Sequence, residues 1–308
     1  MPDIVISEFM DEAAIRASFA GRDVLYDPKL VDDPARLAAA VRDARALIVR
    51  NRTQVRGALL EAAAQLKVVG RLGVGLDNID VPACEARGIA VYPASGANDL
   101  SVAEYVITAA LMLLRRAWLA TDRVAAGEWP RTELMGRELA GKRLGLVGYG
   151  AIARVTGRMA RDLGMSVAAC DPLLPAEHPA WASALRQPLT ELLASSDVVS
   201  LHVPLTDATR NMIDAPAIAN MRRGAILINA ARGGVVDESA LCAALRSGHL
   251  GGAALDVFAR EPVDAAGGAV FAGVPNLILT PHIAGVTDES NVRVSAVTAE
   301  AVARHLGA

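Results

Sequence analysis

The chain has 308 residues, which suggests two domains, because a single domain usually holds about 100–200 residues. It is 53% hydrophobic and 21% charged, so it can bury substantial cores. A net charge of −3 without a long basic run argues against binding to nucleic acid or to membrane surfaces through bulk charge.

Residues 1–98 alternate short apolar runs with helical patterns. This alternation predicts a parallel sheet with helices on both faces. The predicted strands cover residues 4–7, 24–26, 47–49, 68–71 and 90–92, and the predicted helices cover 34–42 and 58–65. This half contains no glycine fingerprint for a nucleotide.

A long apolar helix is predicted between the two halves of the chain. Ser101 and Glu104 form an S-x-x-E capping box, which indicates that the helix starts there and runs to about Trp118. Its apolar stretch, 105–114, is too short to span a membrane. The N-terminal residues lack the basic region and long apolar core of a signal peptide, so we expect a cytoplasmic protein.

The three cysteines, Cys84, Cys170 and Cys242, are far apart and odd in number. No Cys/His spacing typical of a metal site occurs, and we expect reduced thiols and no metal.

The stretch 142–153, KRLGLVGYGAIA, contains the strongest functional motif. An apolar strand, 144–147, leads into Gly148, Gly150 and Ala153 in a G-x-G-x-x-A pattern, and a helical pattern follows. The first glycine allows a tight turn, the second lets the backbone approach a pyrophosphate, and the alanine keeps helix and strand close. The helix N-terminus offers N–H groups to the phosphates. The alternative is an ordinary strand–turn–helix unit, because such a pattern alone is weakly specific.

Asp171 strengthens the dinucleotide interpretation. It directly follows the next predicted strand, 167–170, about 20 residues after the glycines, where an acidic residue holds the ribose hydroxyls. Its charge would repel a 2′-phosphate, and no arginine follows in DPLLP. These features favour NAD over NADP.

The second half of the chain also alternates strands and helices. Further strands are predicted at 198–201, 225–229, 252–255 and 277–279, which gives six with the two already described. Helices lie between them, for example 238–247, and six strands fit a complete dinucleotide-binding sheet. A last helix, 288–306, could return to pack on the first half.

Three chemically suited residues follow neighbouring strands of this sheet, where ligands of open α/β sheets bind. They are Arg232, Glu261 and His282. An arginine fork can bind a carboxylate, a histidine can take or give a hydroxyl proton near neutral pH, and a glutamate can orient the imidazole. Each one alone is more typical of a surface charge or a capping group. His202 also follows a strand, but its loop looks cofactor-facing, and we interpret it as a wall residue.

The chain resembles the D-isomer-specific 2-hydroxyacid dehydrogenases over nearly its whole length. The resemblance rests on GRLGVGLDNID (70–80), LVGYGAIA (146–153), LHVPLTDATRNMI (201–213), INAARGGVVDE (228–238), LDVFAREP (255–262) and TPHIAG (280–285). It implies a flavodoxin-like substrate domain, 1–98 with 286–308, and a Rossmann NAD-binding domain, 99–285.

The resemblance also implies roles for individual residues. Arg232 would bind the substrate carboxylate, His282 would be the acid–base residue, and Glu261 would be its partner. Backbone around Val74 and Gly75 would contact the carboxylate. The family is usually dimeric through the long helix and the segment behind it, so we expect a homodimer. The predicted cofactor-binding residues are Val102, Gly148, Tyr149, Gly150, Ala151, Ile152, Asp171, His202, Val203, Pro204, Thr209, Ala230, Asp256 and Gly285.

Cations near the carboxylate site suggest a second anionic group on the substrate. VRNRTQV (49–55) and the 70–80 motif look like phosphoglycerate dehydrogenase, but Asn51 stands where a serine is common, and Arg52 follows it. Arg50, Arg52 and Arg71, with Asn51, are the predicted ligands of that group, although loop arginines are as often simply solvated. Both 3-phosphoglycerate and 3-sulfolactate therefore remain open as substrates.

Two other functions also remain open. A glyoxylate or hydroxypyruvate reductase would keep the same three residues without needing extra cations, and it often prefers NADPH, against which Asp171 argues. An NAD-sensing corepressor of the same family would be a binding protein, but this chain lacks extended disordered tails.

Overall fold

The computed structural model describes residues 2–307, which form two compact units, each with its own parallel sheet. The first unit runs up to Asn98 and resumes at Val286, and the second is the continuous segment Asp99–Gly285. Both are of the α/β class predicted from the alternating pattern. Which unit serves substrate and which serves cofactor stays a prediction.

The sheet of the first unit has five parallel strands in the order β2-β1-β3-β4-β5, which is flavodoxin-like. Four of the five are mostly or wholly apolar runs, as expected for strands covered on both faces. The strands are β1 (Ile4–Ile6), β2 (Val24–Tyr26), β3 (Ala46–Val49), β4 (Val68–Arg71) and β5 (Ala90–Pro93).

Five helices complete the first unit: α1 (Glu12–Ser18), α2 (Pro34–Val41), α3 (Gly57–Ala62), α4 (Val81–Ala86) and α12 (Asp288–His305). Aspartate side chains cap α1, α2 and α4 by accepting a backbone N–H of the first turn. Thr287 and Ser290 form a reciprocal capping box that starts α12. This last helix packs against β4 and α1, so the C-terminal segment belongs to the first sheet.

The sheet of the second unit has seven parallel strands in the order β12-β11-β10-β9-β6-β7-β8. Counted from β6, its first six strands have the Rossmann order 3-2-1-4-5-6. The prediction of six strands missed β8, which has two exposed residues and therefore no apolar run. The strands are β6 (Arg143–Val147), β7 (Ser166–Cys170), β8 (Leu185–Arg186), β9 (Val198–Leu201), β10 (Ile226–Asn229), β11 (Gly252–Leu255) and β12 (Leu277–Leu279).

The helices of the second unit are α5 (Asp99–Arg115), α6 (Thr121–Ala125), α7 (Ala151–Asp162), α8 (Leu189–Ser195), α9 (Ala215–Asn220), α10 (Glu238–Arg246) and α11 (Ala265–Gly268). The predicted start of α5 is wrong. Ser101 lies buried inside the helix, which begins at Asp99. The predicted end at Trp118 is also too late, since Arg116 adopts a left-handed conformation (φ 55°) and α5 ends at Arg115.

Each sheet is covered by apolar clusters on both faces. No helix within residues 2–307 is both long and apolar enough to cross a membrane. The same residues contain no group of three or more His, Cys, Asp or Glu side chains that could hold a metal ion. Cys84 and Cys242 are buried free thiols, and Cys170 is a half-buried one.

Candidate active site

The glycine turn after β6 requires glycine at its first position. Gly148 has φ 86°, and a Cβ added there would lie 2.7 Å from the carbonyl oxygen of His202. Its N–H donates to the carbonyl of Cys170 at 2.8 Å, which ties the turn to the end of β7. The turn is therefore fixed between the ends of β7 and β9.

The start of α7 is open to a ligand. Gly150 is the N-cap and provides no side-chain hydrogen bond to the first turn, which contains Ala151 and Ile152. A Cβ added at Gly150 would meet no atom within 4 Å, while Ala153 is fully buried against the sheet. A twelve-residue helix whose first N–H groups lack a side-chain cap can bind an anion there.

Asp171 lies beside this turn, at the carboxyl end of β7. Its Oδ2 accepts the N–H of Tyr149 at 2.8 Å and its Oδ1 accepts that of Leu173 at 3.0 Å. The side chain of Tyr149, a predicted cofactor-binding residue, is buried and stacked on Trp181 with ring centroids 5.3 Å apart. Tyr149 thus packs the core and uses its N–H to orient Asp171.

His202 has the environment of a wall residue. Protein atoms surround it closely, and this burial lowers its pKa to about 4, so its imidazole is neutral at physiological pH. Its Nε2 pairs with Ser200 Oγ at 3.0 Å. The loop that continues through Val203 and Pro204 is closed by Thr209, whose hydroxyl donates to the Pro204 carbonyl at 2.6 Å.

The structure places the other predicted cofactor residues at varied positions. Val102 is buried in α5. Ala230 directly follows β10 and is half-buried. Gly285 ends the second unit.

Asp256, another predicted cofactor-binding residue, has partners within the protein. Its carboxylate, which is buried, accepts the hydroxyl of Thr280 at 2.6 Å and the N–H groups of Ile283 and Ala284, both at 2.8 Å. The side chain therefore holds the segment after β12. Local sequence could not show this, because the partners of Asp256 follow a different strand, β12.

Two of the three predicted catalytic side chains are in contact. His282 Nδ1 lies 2.7 Å from Glu261 Oε2, and both side chains are partly open, at 39% and 32% exposure. Glu261 Oε1 also accepts the N–H of Phe258 at 2.9 Å. Burial acts to raise the pKa of Glu261, but the hydrogen bonds from His282 and Phe258, with nearby positive charge, outweigh it and lower the pKa. Glu261 is thus ionised at neutral pH.

Arg232 lies in the neighbouring loop, and its charge is among those that lower the pKa of Glu261. Asn229 shapes this loop, because its side chain accepts the N–H of Ala231 and donates to the carbonyl of Arg232. A Cβ on Gly233 would lie 1.7 Å from the carbonyl oxygen of Phe258, so only glycine allows the two loops to meet. The carboxyl ends of β10, β11 and β12 therefore bring all three residues together.

In the first unit, the loop after β3 is built around Glu8. This buried carboxylate accepts the N–H groups of Arg50, Arg52 and Thr53 at 2.9–3.1 Å. Asn51 lies exposed at the loop's surface. Nothing in the sequence pattern pointed to Glu8, which lies more than 40 residues earlier in the chain.

The guanidinium groups of this loop have partners within the protein. That of Arg50 donates to Asn291 Oδ1 and lies 5.8 Å from the ring centroid of Phe9, and burial lowers its pKa. Arg52 is exposed and forms an ion pair with Asp32, which raises its pKa. Arg50 is thus part of the scaffold, whereas Arg52 remains at the surface.

Arg71 and the loop after it form the last predicted substrate group. Arg71 ends β4, and its Nη1 donates to the carbonyl of Leu72 at 2.6 Å. The guanidinium lies over Gly73, where a Cβ would collide with it. Val74 is 38% exposed and precedes Gly75, so this loop presents backbone at the surface.

A Rossmann sheet with an open glycine turn, and a histidine–carboxylate pair beside an arginine, define a nucleotide-dependent dehydrogenase. Residues 107–284 match the family described as D-isomer specific 2-hydroxyacid dehydrogenase, NAD binding domain. The chain belongs to this family and is an NAD-dependent oxidoreductase that interconverts a 2-hydroxy acid and its 2-oxo acid.

Several proteins are similar along most of the chain. The (S)-sulfolactate dehydrogenase of Chromohalobacter salexigens is 56% identical over 308 residues, which cover 100% of this chain and 99% of that protein. The D-3-phosphoglycerate dehydrogenase of Synechocystis is 35% identical over 98% of this chain but only 54% of its own length. The D-lactate dehydrogenase of Aquifex aeolicus, complexed with NAD and lactic acid, superimposes with a TM-score of 0.85 at 29% identity, covering 97% and 94% of the two chains.

The second unit fits the NAD molecule that its family binds. The open space at Gly150, the first turn of α7 without a side-chain cap and the carboxylate of Asp171 lie together at one edge of the sheet. These are the features that a pyrophosphate and an adenosine ribose need.

Proposed function

We propose that the chain oxidises and reduces a sulfonate-bearing 2-hydroxy acid of the 3-sulfolactate type, with Arg232, Glu261 and His282 as the catalytic residues. The single observation that carries the catalytic assignment is the contact of 2.7 Å between His282 Nδ1 and Glu261 Oε2, beside the Arg232 loop. The assignment of a sulfonate to the substrate rests on the 56% identity with (S)-sulfolactate dehydrogenase over the full chain.

The proposed roles follow from the chemistry of each group. Arg232 holds the substrate carboxylate with its planar fork and orients C2. His282 Nε2 accepts the proton of the C2 hydroxyl in oxidation and returns it in reduction. Glu261 holds the ring through Nδ1 and stabilises the imidazolium that forms. NAD, when bound, supplies the hydride acceptor for oxidation.

The cofactor site is proposed at the glycine turn. The N–H groups of Ala151 and Ile152 would bind the pyrophosphate, and Asp171 would accept the adenosine ribose hydroxyls. His202, neutral because burial lowers its pKa to about 4, would line the loop without exchanging a proton.

The substrate is tested by a panel of 3-sulfolactate, 3-phosphoglycerate, malate, glycerate and lactate, each with NAD and with NADP, and of glyoxylate and hydroxypyruvate, each with NADH and with NADPH. The proposal expects 3-sulfolactate with NAD to have the highest kcat/KM. A preference for 3-phosphoglycerate would agree with the relatives of that name, of which the chain spans about half the length. A preference for glyoxylate or hydroxypyruvate with NADPH would indicate the reductase alternative, and inactivity with all acids would favour the binding-protein alternative.

Alanine variants of the three candidate arginines test which of them bind the second anionic group of the substrate. Arg52→Ala and Arg71→Ala should lower kcat/KM for 3-sulfolactate and leave that for lactate unchanged, if these residues contact the sulfonate. One charge-assisted contact contributes roughly 1.5–3 kcal/mol, or about ten- to a hundredfold. Arg50→Ala should instead lower the melting temperature, because Arg50 is bonded to Asn291. An unchanged substrate ranking in all three variants would refute the second-anion site.

Glu261→Gln is expected to shift the pH dependence of the rates of both oxidation and reduction. The pKa of Glu261 is below its ordinary value, so its carboxylate is charged at neutral pH, and it lies 2.7 Å from His282 Nδ1. Oxidation needs neutral His282 and increases with pH, whereas reduction needs the protonated form and decreases. Loss of the charge should therefore move both profiles to lower pH. Rate profiles from pH 5 to 10 check this, and Glu238→Gln, which bonds the N–H of Ala259 but not His282, is the matched control.

Asp171→Ala is expected to narrow the preference for NAD over NADP, mainly through the Michaelis constants for the cofactors. The carboxylate should repel a 2′-phosphate and hold the unphosphorylated ribose. Asp162→Ala, an exposed aspartate at the end of α7, serves as the control. Wild-type enzyme that already prefers NADP would contradict the assignment.

We also infer a homodimer in the cytoplasm. The segment that follows α5 exposes large apolar side chains, with Trp129 80% and Met135 74% open. Such exposure is typical of a surface that another chain covers, and a second copy of this chain is the proposed partner. Sedimentation equilibrium would test the dimer. The inference of a cytoplasmic location rests on the three free thiols, which suit a reducing compartment.

A further inference from the structure

A chain of half-buried hydroxyl groups connects helix α5 to the segment that carries His282. Tyr105 Oη lies 2.6 Å from Thr280 Oγ1, and Thr280 Oγ1 donates to Asp256 Oδ1 at 2.6 Å. Thr280 has a single hydroxyl proton, which is used toward Asp256, so Tyr105 must be the donor in the first contact. The chain therefore has one direction, from Tyr105 through Thr280 to the carboxylate.

Burial keeps Tyr105, the first donor in this chain of hydroxyl groups, protonated. It raises the pKa of Tyr105 to about 12, so the phenol does not ionise in the working pH range of the enzyme. Tyr105 is thus a permanent donor that points the Thr280 hydroxyl at Asp256. Sequence analysis assigned neither residue a role.

Asp256 transmits this constraint to the backbone around His282. Its carboxylate accepts the N–H groups of Ile283 and Ala284, and its carbonyl accepts the N–H of His282 at 2.8 Å. His282 itself has φ 56°, a left-handed conformation that non-glycine residues rarely adopt without support. Asp256 thus accepts the N–H groups of His282 and of the two residues that follow it, and these hydrogen bonds support the left-handed conformation.

We propose that Tyr105 and Thr280 are positioning residues, which hold Asp256 in the geometry that places the His282 imidazole against Glu261. This inference rests on the proposed catalytic role of His282. It assigns Tyr105 and Thr280 to the reaction although neither is placed in contact with substrate or cofactor.

The charged state of Asp256 depends on these donors. Burial raises its pKa, while the Thr280 hydroxyl, the N–H groups of Ala284 and Ile283, and the charge of His282 act against this rise. The titratable groups that act on Asp256 are Tyr105 from α5 and His282 from its own segment. Glu261 lies on the other side of His282. Loss of the Thr280 donor should therefore let Asp256 take up a proton at a higher pH.

The experiment compares Thr280→Val, which removes the hydroxyl at nearly constant shape, with Thr280→Ser, which keeps it. Tyr105→Phe, the double variant Tyr105→Phe/Thr280→Val and His282→Ala complete the set. For each, kcat as a function of pH, the dissociation constant of NADH by fluorescence and the melting temperature are measured.

Thr280→Val should lose about ten- to a hundredfold in kcat, the effect of a small displacement of a catalytic group, with an unchanged NADH dissociation constant. The acid limb of its pH profile should move to higher pH, and Thr280→Ser should restore both. Tyr105→Phe should lose roughly tenfold at most. The double variant should be no slower than Thr280→Val and more stable, because the single change leaves the half-buried Tyr105 hydroxyl without its acceptor.

Three other results would each contradict one of the claims made above. Equal kcat and an unshifted acid limb in Thr280→Val and Thr280→Ser, with His282→Ala inactive, would overturn the positioning role and leave the proposed function intact. Additive losses in the double variant would also overturn it, since Tyr105 would then act independently. Full turnover in His282→Ala would overturn the proposed function itself.

Discussion

His282→Ala is expected to lower kcat by about 10²–10⁴-fold, the effect of removing a general acid–base group. The imidazole is held by the ionised Glu261 at 2.7 Å, and the substitution removes the group proposed to take the hydroxyl proton. NAD should still bind, because the glycine turn and Asp171 lie at the other strands, β6 and β7. Steady-state turnover and the NADH dissociation constant check the two halves of this expectation.

The matched control is His249→Ala. His249 bonds the carbonyl of Ile218 through Nε2 and precedes β11, at the opposite end of the strand from Glu261. It should keep wild-type turnover. If His282→Ala kept wild-type turnover as well, His282 would not be the proton acceptor.

Arg232→Ala is expected to lower kcat/KM by about 10²–10⁴-fold. A bidentate pair with a carboxylate makes two charge-assisted hydrogen bonds, each contributing roughly 1.5–3 kcal/mol. Arg232→Lys should recover only part of the loss, since lysine keeps the charge but not the planar fork. The measurement is kcat/KM for the 2-hydroxy acid preferred in the panel.

Arg260→Ala is the control for this change. Arg260 lies close by in the sequence of the Glu261 loop but is 83% exposed, and it lies 3.6 Å from Asp264. Its loss should leave kcat/KM unchanged. A drop of similar size in both variants would show a general effect of positive charge rather than a specific carboxylate contact.

The sequence by itself determined every strand except β8 and the order of the site residues along the chain. The predicted strands at 24–26, 68–71, 198–201, 252–255 and 277–279 have the bounds found in the structure. Buried parallel strands are continuous apolar runs, so local composition is sufficient to mark them. The meeting of the Arg232, Glu261 and His282 segments followed because neighbouring parallel strands end at one edge.

Only the tertiary structure decided which hydrogen-bond partners the polar side chains have. Arg50 is bonded to Asn291 and its loop is held by Glu8, partners that lie 241 and 42 residues away. Asp256 holds the His282 segment, and Tyr105 acts on it from a helix more than 150 residues earlier. Such pairings depend on which elements pack together and on which donors burial leaves without water. Composition and periodicity describe each segment alone and carry no information about its neighbours in space.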